Sequence, residues 1–179
     1  HFGGGGDASE QVPIVTNLDN YKTTIEDISF GGNVTSFFKS STAPIQTTLA
    51  DTIRDYIGNG VALMTFYGHS AAAGGFDQSI QAVSLWPNQN GKYPFLLGLG
   101  CHAGDIHLAL SNSTSEEYVM FNDKGVIGFL SSVGTELIGD LNLFAKEFYK
   151  NLAYSNYGGS VGWHIKNTNM QLNQNQQRT

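Results

Sequence analysis

The chain has 179 residues and a formal net charge of −6. Hydrophobic residues make up 40% and aromatic residues 12% of it, which excludes a disordered chain and fits a domain with a full hydrophobic core. It contains no run of Lys or Arg, so nucleic acid is not expected as a partner, because that binding depends on neutralising phosphates. No stretch approaches the roughly 20 apolar residues of a membrane span.

The first residues and the single cysteine indicate how the chain is expected to be organised into domains and cross-links. The chain opens on His1-Phe2 without an initiating Met, which predicts a piece of a longer protein whose other domains are expected partners. Residues 1–179 are expected to form one domain. The single cysteine, Cys101, excludes an internal disulfide and a zinc site built from several thiolates.

The predicted elements alternate between strands and helices. Residues 3–6 are four glycines typical of a loop after a strand, and residues 8–28 have a loose helical pattern. Strands are then predicted at 33–39, 61–67, 93–99 and 125–130, and helices at 45–57, 115–122, 141–154 and 160–172, before a polar tail from 173. The last three strands are continuous apolar runs, as in strands buried on both faces of a parallel sheet. The alternation therefore predicts an α/β fold with a mostly parallel sheet and helices on both faces.

Reactive residues follow two of the buried strands. Strand 61–67 leads into His69, and strand 93–99 leads into Cys101. The carboxyl ends of parallel strands meet at one edge of a sheet, so the two side chains are expected to approach each other. A thiol with its ordinary pKa is mostly protonated at neutral pH, and an adjacent imidazole that accepts its proton activates it. The pattern predicts a catalytic dyad with Cys101 as nucleophile and His69 as base.

Backbone groups at the same two positions are candidates for an oxyanion hole. The glycines beside His69 and Cys101 allow a substrate backbone to approach closely. The N–H groups of Ser70 and Cys101 are then expected to stabilise the tetrahedral intermediate.

This arrangement resembles the caspase-like cysteine peptidases and, in its finer pattern, the gingipain (C25) family. The resemblance covers roughly residues 60–165. It is carried by Phe66-Tyr67-Gly68-His69, by the segments 92–97, 115–119, 124–129, 144–152 and 160–162, and by Cys101-His102-Ala103-Gly104-Asp105. It implies a caspase-like three-layer sandwich, a cysteine endopeptidase or sortase-like transpeptidase acting on polypeptides, and no cofactor. It also implies the extracellular or outer-membrane surface of a Gram-negative bacterium, since the family includes a sortase-like component of type IX secretion.

The sequence departs from the family pattern at one residue, and two residues are candidates for one further role. The family usually has Gly directly after the histidine, whereas this chain has Ser70, whose side chain crowds the site. Some members orient the histidine with an acid from an earlier segment. Asp7 and Glu10 are the candidates here, and the sequence does not choose between them.

The substrate pocket is predicted less directly. Ser131, Ser132 and Thr135 follow the third buried strand and are expected to line the pocket for the residue before the scissile bond. Family members often favour basic residues there, which needs a buried acid; the candidates are Asp105, Glu136 and Asp140. Asp77 and Trp86, between the two reactive segments, are expected to shape the cleft or to pack it.

A serine hydrolase is the main alternative. Residues 68–72 (GHSAA) nearly match the G-x-S-x-G nucleophile elbow with Ser70 as nucleophile, and Asp140 and His164 follow in the order of a triad. Residues 1–5 (HFGGG) faintly resemble the oxyanion loop of lipases.

Two further alternatives remain. Cys101, His102, Asp105 and His107 have the residue types of a metal site, but adjacent Cys and His rarely point at one ion, so no metal is expected. No Asp-rich loop predicts calcium. A non-catalytic scaffold domain of a secretion component is the other alternative, and Ser70 is the feature that favours it.

Overall fold

The computed structural model describes residues 1–109 and 113–176, so the end of the predicted polar tail, 177–179, lies outside the described residues. The strands are β1 (Phe2–Gly3), β2 (Phe37–Phe38), β3 (Leu63–Tyr67), β4 (Ser70–Ala71), β5 (Gly75–Phe76), β6 (Phe95–Leu99) and β7 (Gly128–Ser131). The helices are α1 (Ala8–Glu26), α2 (Ala50–Asn59), α3 (Thr114–Met120), α4 (Ile138–Lys150) and α5 (Val161–Gln176). A 3-10 turn (Val83–Leu85) precedes β6, and a π-helical turn (Asn151–Ser155) extends α4.

The main sheet has five parallel strands in the order β2-β1-β3-β6-β7. The two central strands are the apolar runs that carry the reactive residues at their ends. Four of five residues in both β3 and β6 are buried, because strands in the middle of a parallel sheet are covered on both faces. This confirms the predicted α/β fold with a parallel sheet.

Three elements differ from the sequence prediction. The strand predicted at 33–39 is only two residues long. The strand predicted at 125–130 begins at Gly128 and lies at the sheet edge, where all four of its residues are half-buried and the preceding Ile127 is exposed. An apolar run does not distinguish an edge from a centre, because strand order depends on long-range pairing. The helix predicted at 45–57 begins only at Ala50, since Gln46 instead forms a bridge with Gln78.

The chain divides into two compact units. The first contains residues 1–15 and 36–136 and holds the whole sheet. Its core is aromatic-rich: the rings of Phe66 and Phe76 pack at a tilt with centroids 4.2 Å apart, and the ring centroids of Trp86 and Tyr118 are 5.2 Å apart. Burying one such large side chain stabilises the fold by about 1.5–3 kcal/mol. Trp86 is fully buried and its Nε1 donates to the Ile80 carbonyl, so it packs the core.

The second unit contains residues 16–35 and the described part of 137–179. Tyr21 of α1 stacks on Tyr149 of α4 at 5.0 Å, and its hydroxyl donates to Asn142 at 2.6 Å. Buried Asn151 donates to the Gln171 side chain of α5 at 2.8 Å. The expectation of a single domain over 1–179 stays a prediction. In the described part of the chain, no helix has both the length and the apolar character required to cross a bilayer.

Candidate active site

The ends of β3 and β6 lie side by side, and each is followed by one of the two residues predicted for the dyad. The strands pair in a register that sets Tyr67 opposite Leu99, and two residues further on lie His69 and Cys101. The Ser70 hydroxyl donates to the Cys101 carbonyl at 2.8 Å, which keeps the two segments side by side beyond the last pair of strand residues. Since neighbouring strands lie about 4.8 Å apart, His69 and Cys101 follow adjacent strands at one edge of the sheet.

The His69 ring is held by a carboxylate. Its Nε2 lies 2.8 Å from Oε2 of Glu10, and the same oxygen accepts the Gly6 N–H at 2.6 Å. An ionised carboxylate only accepts hydrogen bonds. In the neutral ring the proton therefore sits on Nε2, and Nδ1 carries the free lone pair that a general base needs.

The charge of Glu10 is stabilised locally. Glu10 lies in the first turn of α1, where the helix dipole favours negative charge. The hydrogen bond from the Gly6 N–H lowers the pKa of Glu10, and the bond to His69 lowers it further. Glu10 therefore stays ionised and keeps accepting from His69 through the mildly acidic range.

The other candidate acid, Asp7, has a different place. Its Oδ1 accepts the backbone N–H of Ser9 at 2.8 Å and the Ser9 hydroxyl at 2.6 Å, and these bonds lower the pKa of Asp7. Its carbonyl accepts from Glu10 and Gln11 at the start of α1. Asp7 thus closes the first turn of the helix, and of the two predicted acids the structure brings Glu10 to His69.

Cys101 is partly exposed and borders the segment that follows β7. Its Sγ lies 3.6 Å from the Glu136 carbonyl, and the next amide, that of His102, donates to the Gly134 carbonyl at 2.9 Å. His102 has a φ of +56°, a left-handed conformation that is uncommon for a residue other than Gly. The Asp105 N–H closes the turn on the His102 carbonyl at 3.0 Å. Cys101 is therefore presented on a tight turn directly after its strand.

The three predicted pocket residues lie beside this turn. The Ser131 and Ser132 hydroxyls donate to the carbonyls of Gly98 and Gly100, each at 2.7 Å. They consequently brace the strand that carries Cys101. Thr135 is exposed, and its Oγ1 lies 3.0 Å from His102 Nε2. The segment predicted to wall the pocket borders Cys101, although its two serine hydroxyls are directed at backbone.

The structure argues against the serine hydrolase alternative. A nucleophile elbow is a turn from a strand into a helix. Here β3 leads instead into the antiparallel hairpin β4–β5, and the Ser70 hydroxyl donates to the Cys101 carbonyl. The histidine proposed for that triad, His164, is buried in the second unit with Nε2 3.0 Å from the Gly159 carbonyl. Asp140 lies exposed in the first turn of α4.

The sequence cluster around Cys101 does not converge on an ion. His102 Nδ1 lies 3.7 Å from Asp105 Oδ2, whereas His107 is exposed and meets Asp105 only through its backbone N–H. Within residues 1–109 and 113–176, no group of three or more His, Cys, Asp or Glu side chains is arranged to hold a metal.

A buried ion pair near His69 was not predicted from the sequence. Lys39 Nζ lies 3.3 Å from Asp77 Oδ2, and the two side chains are only 1% and 6% exposed. Oδ2 also accepts the Gly5 N–H at 2.8 Å. Sequence reasoning marked Asp77 only as a residue that shapes or packs the cleft. It gave no signal for Lys39, because lysine is ordinarily exposed.

Comparison with known proteins agrees with this fold. The crystal structure of the Arg-specific cysteine proteinase gingipain R (RgpB) matches with a TM-score of 0.72 and 15% identity, covering 93% of this chain and 40% of that chain. The complex of Porphyromonas gingivalis RgpB pro- and mature domains matches with a TM-score of 0.58 and 15% identity, covering 86% of this chain and 37% of that chain. This chain thus spans less than half the length of the gingipain chains it matches. No curated protein sequence matches it.

The likeness to the solved structures establishes a gingipain-like, caspase-like fold. The family model of peptidase family C25 matches residues 1–179. The chain therefore belongs to peptidase family C25.

Proposed function

We propose that this chain carries the catalytic centre of a cysteine endopeptidase, with Cys101 as nucleophile and His69 as general base. Membership of family C25 supports cysteine peptidase chemistry in general. The observation that carries the proposal is that His69, bonded to Glu10, and Cys101 directly follow two adjacent parallel strands. Nucleophile, base and orienting acid are the three parts that such chemistry requires.

The proposed reaction proceeds in two halves. His69 Nδ1 accepts the thiol proton while Cys101 Sγ attacks the scissile carbonyl, so the S–C bond forms and the carbonyl electron pair moves to oxygen. The backbone N–H groups of Ser70 and Cys101 are proposed to hold that oxyanion. When the tetrahedral intermediate collapses, the C–N bond breaks, and the imidazolium gives its proton to the leaving amine. A thioester on Cys101 remains.

The second half decides between two products. Water, deprotonated by His69, hydrolyses the thioester and regenerates the thiol. If an amine takes the place of water, a new peptide bond forms, and the enzyme is a transpeptidase of the sortase-like kind. Glu10 favours both halves, because its carboxylate stabilises the imidazolium that forms after proton transfer.

The proposed substrate is a polypeptide. Gingipain R is Arg-specific. In this chain Asp105 is the buried acid nearest in sequence to Cys101, but its Oδ1 accepts the His107 N–H and its Oδ2 lies 3.7 Å from His102. Glu136 is exposed. A basic substrate side chain would therefore have to compete for Asp105, which gives no support to the Arg specificity of gingipain R in this chain.

We also propose the extracellular or outer-membrane surface as the location, with other domains of the parent protein as partners. This proposal follows the family relationship and the resemblance to type IX secretion peptidases. Cell fractionation of the source bacterium with an antibody against this chain tests it. Recovery only from the cytoplasm contradicts it.

The chemistry is tested by thiol labelling and peptide cleavage. A peptidyl acyloxymethyl ketone is expected to label Cys101 in the wild-type chain, and His69→Ala should slow the labelling by about 10²–10⁴-fold. Cys101→Ala should abolish both labelling and cleavage of a mixed peptide library. His107→Ala is the matched control, because that histidine is exposed and meets Asp105 only through its backbone.

The outcomes separate the alternatives. Labelling that is unaffected by His69→Ala contradicts the dyad. Hydrolysis that survives Cys101→Ala and is lost in Ser70→Ala favours the serine hydrolase. A folded wild-type chain that neither labels nor cleaves favours the scaffold domain. Addition of a glycine amide acceptor distinguishes transpeptidation from hydrolysis by the mass of the product.

A further inference from the structure

A ring of hydrogen bonds closes on His69 through Asp77. The Asp77 N–H donates to the His69 carbonyl at 3.0 Å, and the Asp77 carboxylate accepts the Gly5 N–H at 2.8 Å. The next amide along the chain, that of Gly6, donates to Glu10 at 2.6 Å. Glu10 in turn lies 2.8 Å from His69 Nε2. This closed set of hydrogen bonds therefore holds both the backbone and the imidazole of His69.

The glycine loop transmits the contact from one carboxylate to the other. Gly5 has a φ of +113°, which an L side chain rarely adopts. This conformation lets two consecutive amides, those of Gly5 and Gly6, reach different carboxylates. A shift of the Gly5 amide would therefore move the Gly6 amide, which donates to Glu10 at 2.6 Å and lowers the pKa of that carboxyl group.

The Asp77 carboxylate occupies a space that allows little movement. Lys39 contacts Oδ2 at 3.3 Å, and both side chains are almost completely buried. The other oxygen, Oδ1, is buried and accepts no hydrogen bond from the described residues. It lies against Gly4 and Gly68, where any added Cβ would collide with it. A buried ion pair is often no more stabilising than apolar residues of similar volume, so stability alone does not account for this pair.

We infer that Asp77 is a positioning residue for His69. Held against Lys39, its carboxylate fixes the Gly5 amide, and the loop then directs the Gly6 amide to Glu10, which presents its oxygen to Nε2. The consequence for catalysis rests on the proposed function, since it requires His69 to be the base. The orientation of the ring is independent of turnover and is tested without it.

Two double variants isolate the contact to Gly5. Lys39→Met/Asp77→Asn removes both charges and keeps an acceptor for the Gly5 amide, whereas Lys39→Met/Asp77→Ala removes the acceptor as well. The ¹⁵N shifts of the His69 ring at alkaline pH report the tautomer. We expect the Asn variant to keep mainly the Nε2–H form and the Ala variant to show a mixture of tautomers. Alkylation of Cys101 should slow about tenfold in the Ala variant.

A matched control separates positioning from stability. Asn88 is a buried polar residue of the same unit that holds the carbonyls of Lys92 and Gly125 and has no part in the ring. Asn88→Ala should lower the melting temperature and leave the His69 tautomer unchanged. An equal change of tautomer in Asn88→Ala, or a wild-type tautomer in both double variants, overturns the inference.

The wild-type chain provides a test that needs no variant to fold. The Gly5 and Gly6 amide protons should exchange at least about 100-fold more slowly than exposed amides, because both donate to carboxylates at the edge of the sheet. Gly5 exchange at the rate of exposed amides overturns the inference. If the wild-type chain cleaves no peptide, the proposed function fails, while the tautomer and exchange results still decide the role of Asp77.

Discussion

The ends of β3 and β6 are stabilised in different ways. The end of β3, with His69, is held by charged groups: Glu10 on the ring and the buried pair of Asp77 and Lys39 behind it. At the end of β6, Cys101 and the carbonyls of Gly98 and Gly100 are held by neutral bonds between hydroxyl or amide groups and backbone carbonyls. The carboxylate nearest in sequence, that of Asp105, contacts His102 and His107 of the following turn. A general base has to be oriented and has to carry a positive charge during the reaction, whereas the nucleophile has to be accessible to the substrate. The difference predicts that charge changes disturb the histidine end and spare the cysteine end.

The largest effect is expected from breaking the buried pair. Lys39→Met leaves the Asp77 carboxylate buried without its cation, which should lower the free energy of unfolding by about 3–5 kcal/mol. Urea denaturation followed by circular dichroism measures it. The exposed pair of Arg54 and Asp51 is the control, since Arg54→Met should change the free energy by less than about 1 kcal/mol. A similar small loss for Lys39→Met would contradict the ionic description of the histidine end.

The next largest effect is expected from removing the negative charge of Glu10 beside the His69 ring. Glu10→Gln keeps the size of the side chain and removes the carboxylate that stabilises the imidazolium. We expect kcat/KM for peptide cleavage to fall about tenfold, equivalent to about 1.4 kcal/mol in the barrier. Asp7→Asn serves as the control, because Asp7 bonds Ser9 at the start of α1 and should leave kcat/KM nearly unchanged. An equal loss of kcat/KM in both variants would show that the cause is a disturbed start of α1 and not the missing carboxylate beside His69.

The same substitution should change the pH dependence of stability. The folded-state pKa of Glu10 lies below its unfolded value, so the folded state is favoured above the unfolded pKa, and this contribution is lost as pH falls through the folded pKa. The unfolding free energy of the wild-type chain should therefore decrease more between neutral pH and about pH 3 than that of Glu10→Gln. Parallel curves for the two proteins would indicate that Glu10 is not stabilised in the folded state.

On the cysteine end, Ser132→Ala removes a neutral donor from the carbonyls of Gly100 and Gly134. The expected loss of unfolding free energy is about 1 kcal/mol. Because no charge changes, the pH dependence of Cys101 alkylation should stay as in the wild-type chain. A shifted alkylation profile would break the contrast between the two ends.

The smallest effect is expected where the two ends meet. Ser70→Gly removes the hydroxyl that donates to the Cys101 carbonyl at 2.8 Å. We expect the free energy of unfolding to change by no more than about 0.5–1 kcal/mol. Peptide cleavage should be retained, as measured by kcat/KM. A complete loss of cleavage would assign Ser70 a direct part in the chemistry.

Local sequence patterns predicted the two central strands because they are long apolar runs that end in glycine. The positions of His69 and Cys101 followed, since residues after neighbouring parallel strands share one edge. The short strands β1, β2, β4 and β5 were beyond such patterns, because two-residue strands are defined by their partners. The choice between Asp7 and Glu10 also required the structure: the two differ only in which one turns toward His69 at the start of α1.

The sequence by itself determined the α/β class and a peptidase-like order of motifs, and it predicted His69 and Cys101 as the dyad, because periodicity and residue order are local properties. Only the tertiary structure decided the order of the five strands, the edge position of β7 and the pairing of Lys39 with Asp77. Lys39 and Asp77 lie 38 positions apart in the chain, and neither residue type is expected to be buried. Their contact arises because Lys39 follows β2 of the main sheet, Asp77 follows β5 of the hairpin, and both meet the glycine segment at the end of β1. Local sequence patterns do not record which distant segments meet in this way.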